Sequence, residues 1–179
     1  MIQAFRGVFL TLVLVFLAPV QTQANSLDAL FAKLKTAPDE ATAFQIERRI
    51  WETWTQPDDA ALSKKMADVI SAMRTSNFEK ALDLLKVVIR DYPDYAEGYN
   101  QRATIRFMKG EDEKSLEDIY ETLVREPRHF GAMAGRALIQ LRNNKPALAF
   151  QSVKAAMAVH PFVRERHLFP ELLKQYPQR

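Results

Sequence analysis

The residue types that most often carry chemistry are sparse in this sequence, and their spacing suits little of it. Cysteine is absent, which excludes disulfides, thiolate metal sites, a thiol nucleophile and lipoprotein-type acylation. His129, His160 and His167 are the only histidines, and no two have the four-residue spacing that sets a pair of metal ligands on one helical face. A general base also needs convergent partners, and none is visible beside them. Six carboxylates gather at Glu111, Asp112, Glu113, Glu117, Asp118 and Glu121. Paired carboxylates hydrolyse glycosidic bonds across a cleft. Here Lys114 stands four residues before Asp118 and Glu121 four before Arg125, the spacing of ion pairs on a helix, and the early acids complement a helix N-terminus. The expectation is a solvated outer face. Glycine-rich phosphate loops and nucleophile elbows are absent from the sequence, so catalysis, a cofactor and a metal are not expected.

Recognition by surface is the alternative to chemistry. Trp51 and Trp54, three residues apart, share a helical face and could anchor a partner. Core packing of the N-terminal helices against the first repeat is the favoured reading, because large aromatics are mostly consumed by cores. Arg48-Arg49 and Lys64-Lys65 are too short and scattered for a nucleic-acid stripe, and a net charge of +3 over 179 residues implies no such partner.

The elements that would position these residues are helices. Strand-like alternation is nowhere sustained, and apolar residues recur at three- and four-residue spacing. At the N-terminus, Met1 to Arg6 carries one positive charge, Gly7 to Val20 is an apolar run, and Thr22-Gln23-Ala24 is a small-x-small site. These are the parts of a secretory signal. The run spans 14 residues, short of the about 20 a membrane helix needs. Residues 1–24 are therefore read as a signal peptide cleaved after Ala24, which exports the chain to the periplasm. An uncleaved leader anchoring the protein in the membrane is the alternative.

Pro93, Pro127 and Pro161 stand 34 residues apart, each closing a helical segment. Three units follow, 62–95, 96–129 and 130–163, and each divides in two at Thr75-Ser76-Asn77, Lys109-Gly110 and Arg142-Asn143-Asn144. Aligned on the prolines, small residues fall in register at Val69, Ala103 and Ala137 and at Ala81, Ser115 and Ala149, with Leu85, Ile119 and Val153 behind them. Ahead lie two helices, Ser26–Lys35 and about Asp39–Gln56, a degenerate repeat over 25–61 whose Pro57 is two residues off period. Residues 164–179 suit a C-terminal cap.

These residues resemble the tetratricopeptide repeat family, and most closely its small exported members in alphaproteobacteria. The closer likeness lies in Leu30-Phe31-Ala32-Lys33-Leu34, in Tyr95 to Thr104 and in Glu126 to Ala132. Where the family has a large aromatic and a leucine on the first helix of each unit, this sequence has Lys65 and Asp68, Tyr99 and Arg102, and Met133 and Arg136. The resemblance implies an all-α helix-turn-helix solenoid whose first helices line a concave face that accepts a peptide or helix of another protein. The columns implied are Ser63, Met66, Ile70 and Met73; Glu97, Asn100, Thr104 and Phe107; Gly131, Ala134, Leu138 and Leu141. Met66, Ile70, Met73, Asn100, Thr104, Phe107, Leu138 and Leu141 are the candidate binding residues. The alternative is that these side chains are covered by the N-terminal helices or belong to the core, since an amphipathic pattern does not distinguish a partner from a neighbour. Some family members clamp a chaperone's terminal carboxylate with Lys, Asn and Arg. Met66, Ile70, Gln101, Gly131 and Gly135 occupy those positions, so that ligand is not expected. The implied function is an envelope scaffold binding another protein. Its rivals are an envelope enzyme with an unrecognised site and a self-assembling structural protein.

Overall fold

A computed structural model describes residues 26–175, so the expected leader lies outside the described residues. The elements are α1 (Leu27–Lys35), α2 (Glu40–Thr55), α3 (Ala60–Arg74), α4 (Phe78–Asp91), α5 (Ala96–Met108), α6 (Asp112–Arg125), α7 (Phe130–Arg142) and α8 (Pro146–Val159). A 3-10 helix (Arg164–Leu168) and α9 (Pro170–Gln175) follow. Strands are absent among the described residues.

The 34-residue period is written into the backbone. Ser76, Gly110 and Asn144 each take a positive φ, of 55°, 75° and 55°, one period apart. Each ends the first helix of a unit in the same way. The following N–H groups, of Asn77, Glu111 and Lys145, reach back to the carbonyls of Ala72, Arg106 and Gln140 at 2.8–2.9 Å. This 6→1 closure satisfies carbonyls that the helix end would otherwise leave orphaned. Glycine fits the left-handed position without strain, which is why Lys109-Gly110 was readable as a turn. Between units, Tyr95, His129 and Val163 donate their N–H groups to Tyr92, Glu126 and His160 at 3.0–3.1 Å, again one period apart. The prolines sit in these turns.

Within a unit the two helices pack face to face, α3 on α4, α5 on α6 and α7 on α8, and each second helix then packs on the next first helix. The aligned small residues make the close approach possible: Val69, Ala103, Ala137, Ala81, Ser115 and Ala149 are all buried. Ser115 satisfies its hydroxyl by donating to the Ala103 carbonyl at 2.8 Å. Leu85, Ile119 and Val153 are buried at one position of successive units, each stabilising the stack by about 1.5–3 kcal/mol. Phe169, before α9, closes the open end against Phe150, ring centroids 5.6 Å apart.

The N-terminal pair departs from the expected degenerate repeat and from packing on the first repeat. α1 packs on α8, and the cluster of Leu30, Phe31, Leu34, Ala43, Ile50 and Trp54 closes over Phe130 at the start of α7. α2 runs along the row of inter-repeat turns. Near its start, Arg164 lies 5.3 Å over the Phe44 ring and Glu40 pairs with Arg166 at 3.5 Å. Halfway, Glu47 meets His160 at 3.3 Å. Trp51 and Trp54 reach His129 and Phe130, and at its end the Tyr95 hydroxyl donates to the Trp54 carbonyl. Gly131 explains the placement: a Cβ there would stand 2.6 Å from the Trp51 ring, so glycine leaves the notch that admits the indole.

Candidate protein-binding face

The first helices α3, α5 and α7 form one face, and the sequence columns on it have different fates. The column of Met66, Asn100 and Ala134 is buried in all three units. Met66 is fully buried beside Leu62, Val69 and Leu85, which removes it from the candidate surface. A first helix wedged between two second helices buries a wide arc, and this column falls inside it. Asn100 is spent on an internal hydrogen bond. Two columns stay half-buried: Ile70, Thr104 and Leu138, and Met73, Phe107 and Leu141.

The column of Ser63, Glu97 and Gly131 lies towards α2. Glu97 is 1% exposed, and its carboxylate accepts from Asn100 Nδ2 at 3.1 Å, from Gln101 Nε2 and from His129 Nε2 at 2.9 Å. His129 caps α7, its Nδ1 accepting from the Ala132 N–H at 3.1 Å. An acceptor at Nδ1 places the ring proton on Nε2, facing Glu97. Trp54 stacks on this imidazole, centroids 4.0 Å apart and planes 6° from parallel. The histidine's role is thus to cap one helix and bridge two repeats beneath α2. The sequence signal was its position immediately before a helix start.

Beyond α2 the face is open. A cleft of about 30 Å³ between α5 and α7 is lined by Asn100, Thr104, Phe107, Gly131 and Gly135, among others. That is room for about one water, so the face offers a contour and not a small-molecule cavity. Thr104 turns its hydroxyl back to the Asn100 carbonyl at 3.0 Å, so its donor is used within α5. The Arg142 guanidinium lies 4.1 Å over the Phe107 ring and donates to Asp112 at 2.9 Å, fixing one end of the groove. At the positions of the family's carboxylate clamp, Gln101 is bonded to Glu97 and Gly131 lies beneath Trp51.

The acidic helix α6 is not uniformly solvated, which corrects the sequence reading. Asp118 is 1% exposed and receives Arg102 through Nε at 2.9 Å and Nη2 at 2.7 Å, and Arg106 at 2.9 Å. The bond to Asp118 holds the Arg102 guanidinium above its ordinary pKa. Arg102 stands where the family has leucine, and that departure was the available signal for a buried carboxylate on the paired helix.

No family model matches this chain. It is 35% identical over 135 residues to a TPR repeat-containing protein of Rhizobium etli, covering 75% of this chain and 66% of that relative. The chain therefore spans a little under two thirds of that relative's length. Two crystal structures of MamA share the architecture. One has a TM-score of 0.51 at 17% identity, covering 77% of this chain and 80% of the other. The second has a TM-score of 0.50 at 15% identity, covering 84% and 80%. At these identities the likeness is one of fold.

Proposed function

Since the chain belongs to the tetratricopeptide repeat family, we propose that it is an exported, non-catalytic scaffold that binds another protein of the cell envelope along the open part of its inner face. Proteins of this family bind other proteins. The observation that carries the site is the pair of half-buried columns, Ile70–Thr104–Leu138 and Met73–Phe107–Leu141. They run in register across three repeats and are apolar except for Thr104. An apolar contour without a deep cavity suits an extended or helical protein segment.

The non-catalytic reading rests on where the titratable groups are spent. Glu97 and His129 hold two repeats together, and Asp118 holds two arginines. The test of the site is photo-crosslinking from Thr104 and Leu138 in cells that make the protein. Export rests on the leader and on the proximity of its small-x-small site to α1. The purified mature protein is expected to begin at Asn25 by intact mass, and a species retaining Met1 would overturn the cleavage.

A further inference from the structure

Arg102 and Arg136 hold the same place in successive repeats, 34 residues apart, and so do Asp118 and Ser152. The two arginines meet different partners in consequence. Arg102 has its bidentate carboxylate, whereas Arg136 donates Nε to the Ser152 hydroxyl at 3.0 Å, and that hydroxyl is turned to Gln140 Oε1 at 2.7 Å. Among the described residues no carboxylate pairs with Arg136. Burial pushes its pKa down, and no acid offsets it. A guanidinium carries five donors in a fork shaped for a carboxylate; with Nε on Ser152, none of the remaining Arg136 donors is both buried and unbonded, so they stay open to an incoming group.

The surroundings of Arg136 are apolar and open. A groove of about 460 Å³ is lined by Leu116, Ile119, Tyr120, Leu123, Val124 and Arg136. Its rim is a stripe at four-residue spacing on α6, Leu116, Tyr120 and Val124, with Tyr120 66% and Val124 58% exposed. Bulky apolar groups this exposed are unexpected on a helix otherwise rich in carboxylates. On the other flank of the stripe, Arg102 and Arg106 are already paired with Asp118, with Glu113 and Glu117 beside them. Among the described residues that line the groove, Arg136 is the cation that an incoming group meets. A single guanidinium offers one fork, which a carboxylate matches, whereas a phosphate calls for several donors.

We propose that this groove, on the outer side of α6 and α7, is a second docking site for a protein segment presenting an Asp or Glu side chain to Arg136 and a neighbouring bulky apolar side chain to Leu116, Tyr120 and Val124. It is separate from the inner face, so one scaffold holds two partners, or two parts of one.

The test is an array of random 12-residue peptides with amidated C-termini, probed with the purified protein, followed by fluorescence anisotropy of the strongest binders. Those binders that survive Leu138→Ser, and so do not depend on the inner face, should share an Asp or Glu within four residues of a Leu, Phe or Tyr. Their affinity should fall about tenfold or more in Arg136→Gln and in the surface variant Tyr120→Ser, and stay unchanged in the inner-face variant Leu138→Ser. Ser152→Asp gives Arg136 the internal partner that Arg102 already has. It should weaken binding by a similar factor without lowering the melting temperature. Among the binders insensitive to Leu138→Ser, a lack of any acid, a preference for phosphoserine in its place, binding unchanged in Arg136→Gln and Ser152→Asp, or the absence of any that separates the wild type from these variants would each overturn the proposal.

Discussion

Asp118→Ala is expected to cost about 3 kcal/mol of folding stability, seen as a fall of roughly 10 °C in melting temperature. Asp118 is buried and receives three hydrogen bonds from two arginines. Removing it leaves both cations between α5 and α6 without a carboxylate, Arg106 keeping only its bond to the Lys114 carbonyl, and a broken buried pair of this kind is costly. The loss falls at the lower end of the usual range because the arginine side chains are 22% and 21% exposed and can turn partly to water. Asp118→Asn separates charge from shape. It keeps the volume and one acceptor, so a packing role predicts little change, whereas the ionic account predicts most of the alanine loss. The double variant Arg102→Leu with Asp118→Leu, which restores the family's leucine on the first helix, should recover part of the stability, since an apolar pair replaces the Arg102–Asp118 pair at small net cost while Arg106 still loses its carboxylate.

Trp54→Ala is expected to cost about 3–5 kcal/mol by thermal or urea unfolding, the range for deleting a large buried aromatic. Trp54 is 6% exposed, stacks on His129 and tilts against Phe130 at 5.3 Å and Phe31 at 5.9 Å. It is the point at which α1, α2 and α7 meet. Its loss should also raise amide exchange in α1 and α2 before the repeats, because those helices hold to the solenoid through this cluster. An unchanged melting temperature with lost partner binding would return Trp54 to the role of an exposed anchor.

Both variants bear on what the sequence disclosed. The period was visible because each repeat solves the same problem with the same residues: proline in the turn, small side chains where the helices touch, and a turn former at Ser76, Gly110 and Asn144. Those are local requirements, and local requirements leave local marks. The placement of α2 is a long-range choice. Its apolar face would have packed equally well, by pattern, on α3 as a first repeat or across the turns as it does. Gly131 carried the decisive hint, a glycine in the first turn of a helix where no positive φ calls for one, but its meaning depends on Trp51, eighty residues earlier. Asp118 was hidden by its company, since five neighbouring acids suggest solvent. The column of Met66, Asn100 and Ala134 was placed on the open face because helical periodicity gives the angle between residues but not the width of the arc that neighbours cover.

The central claim is that the two open columns of the inner face contact another protein. Photo-crosslinkers at Thr104 and Leu138, on two different repeats, tested in cells that make the protein, address it most directly, with Lys86 on the exposed side of α4 as the control. The account predicts one adduct of the same mass from both inner positions and none above background from Lys86. Equal labelling from Lys86, or no adduct from either inner position, would contradict it.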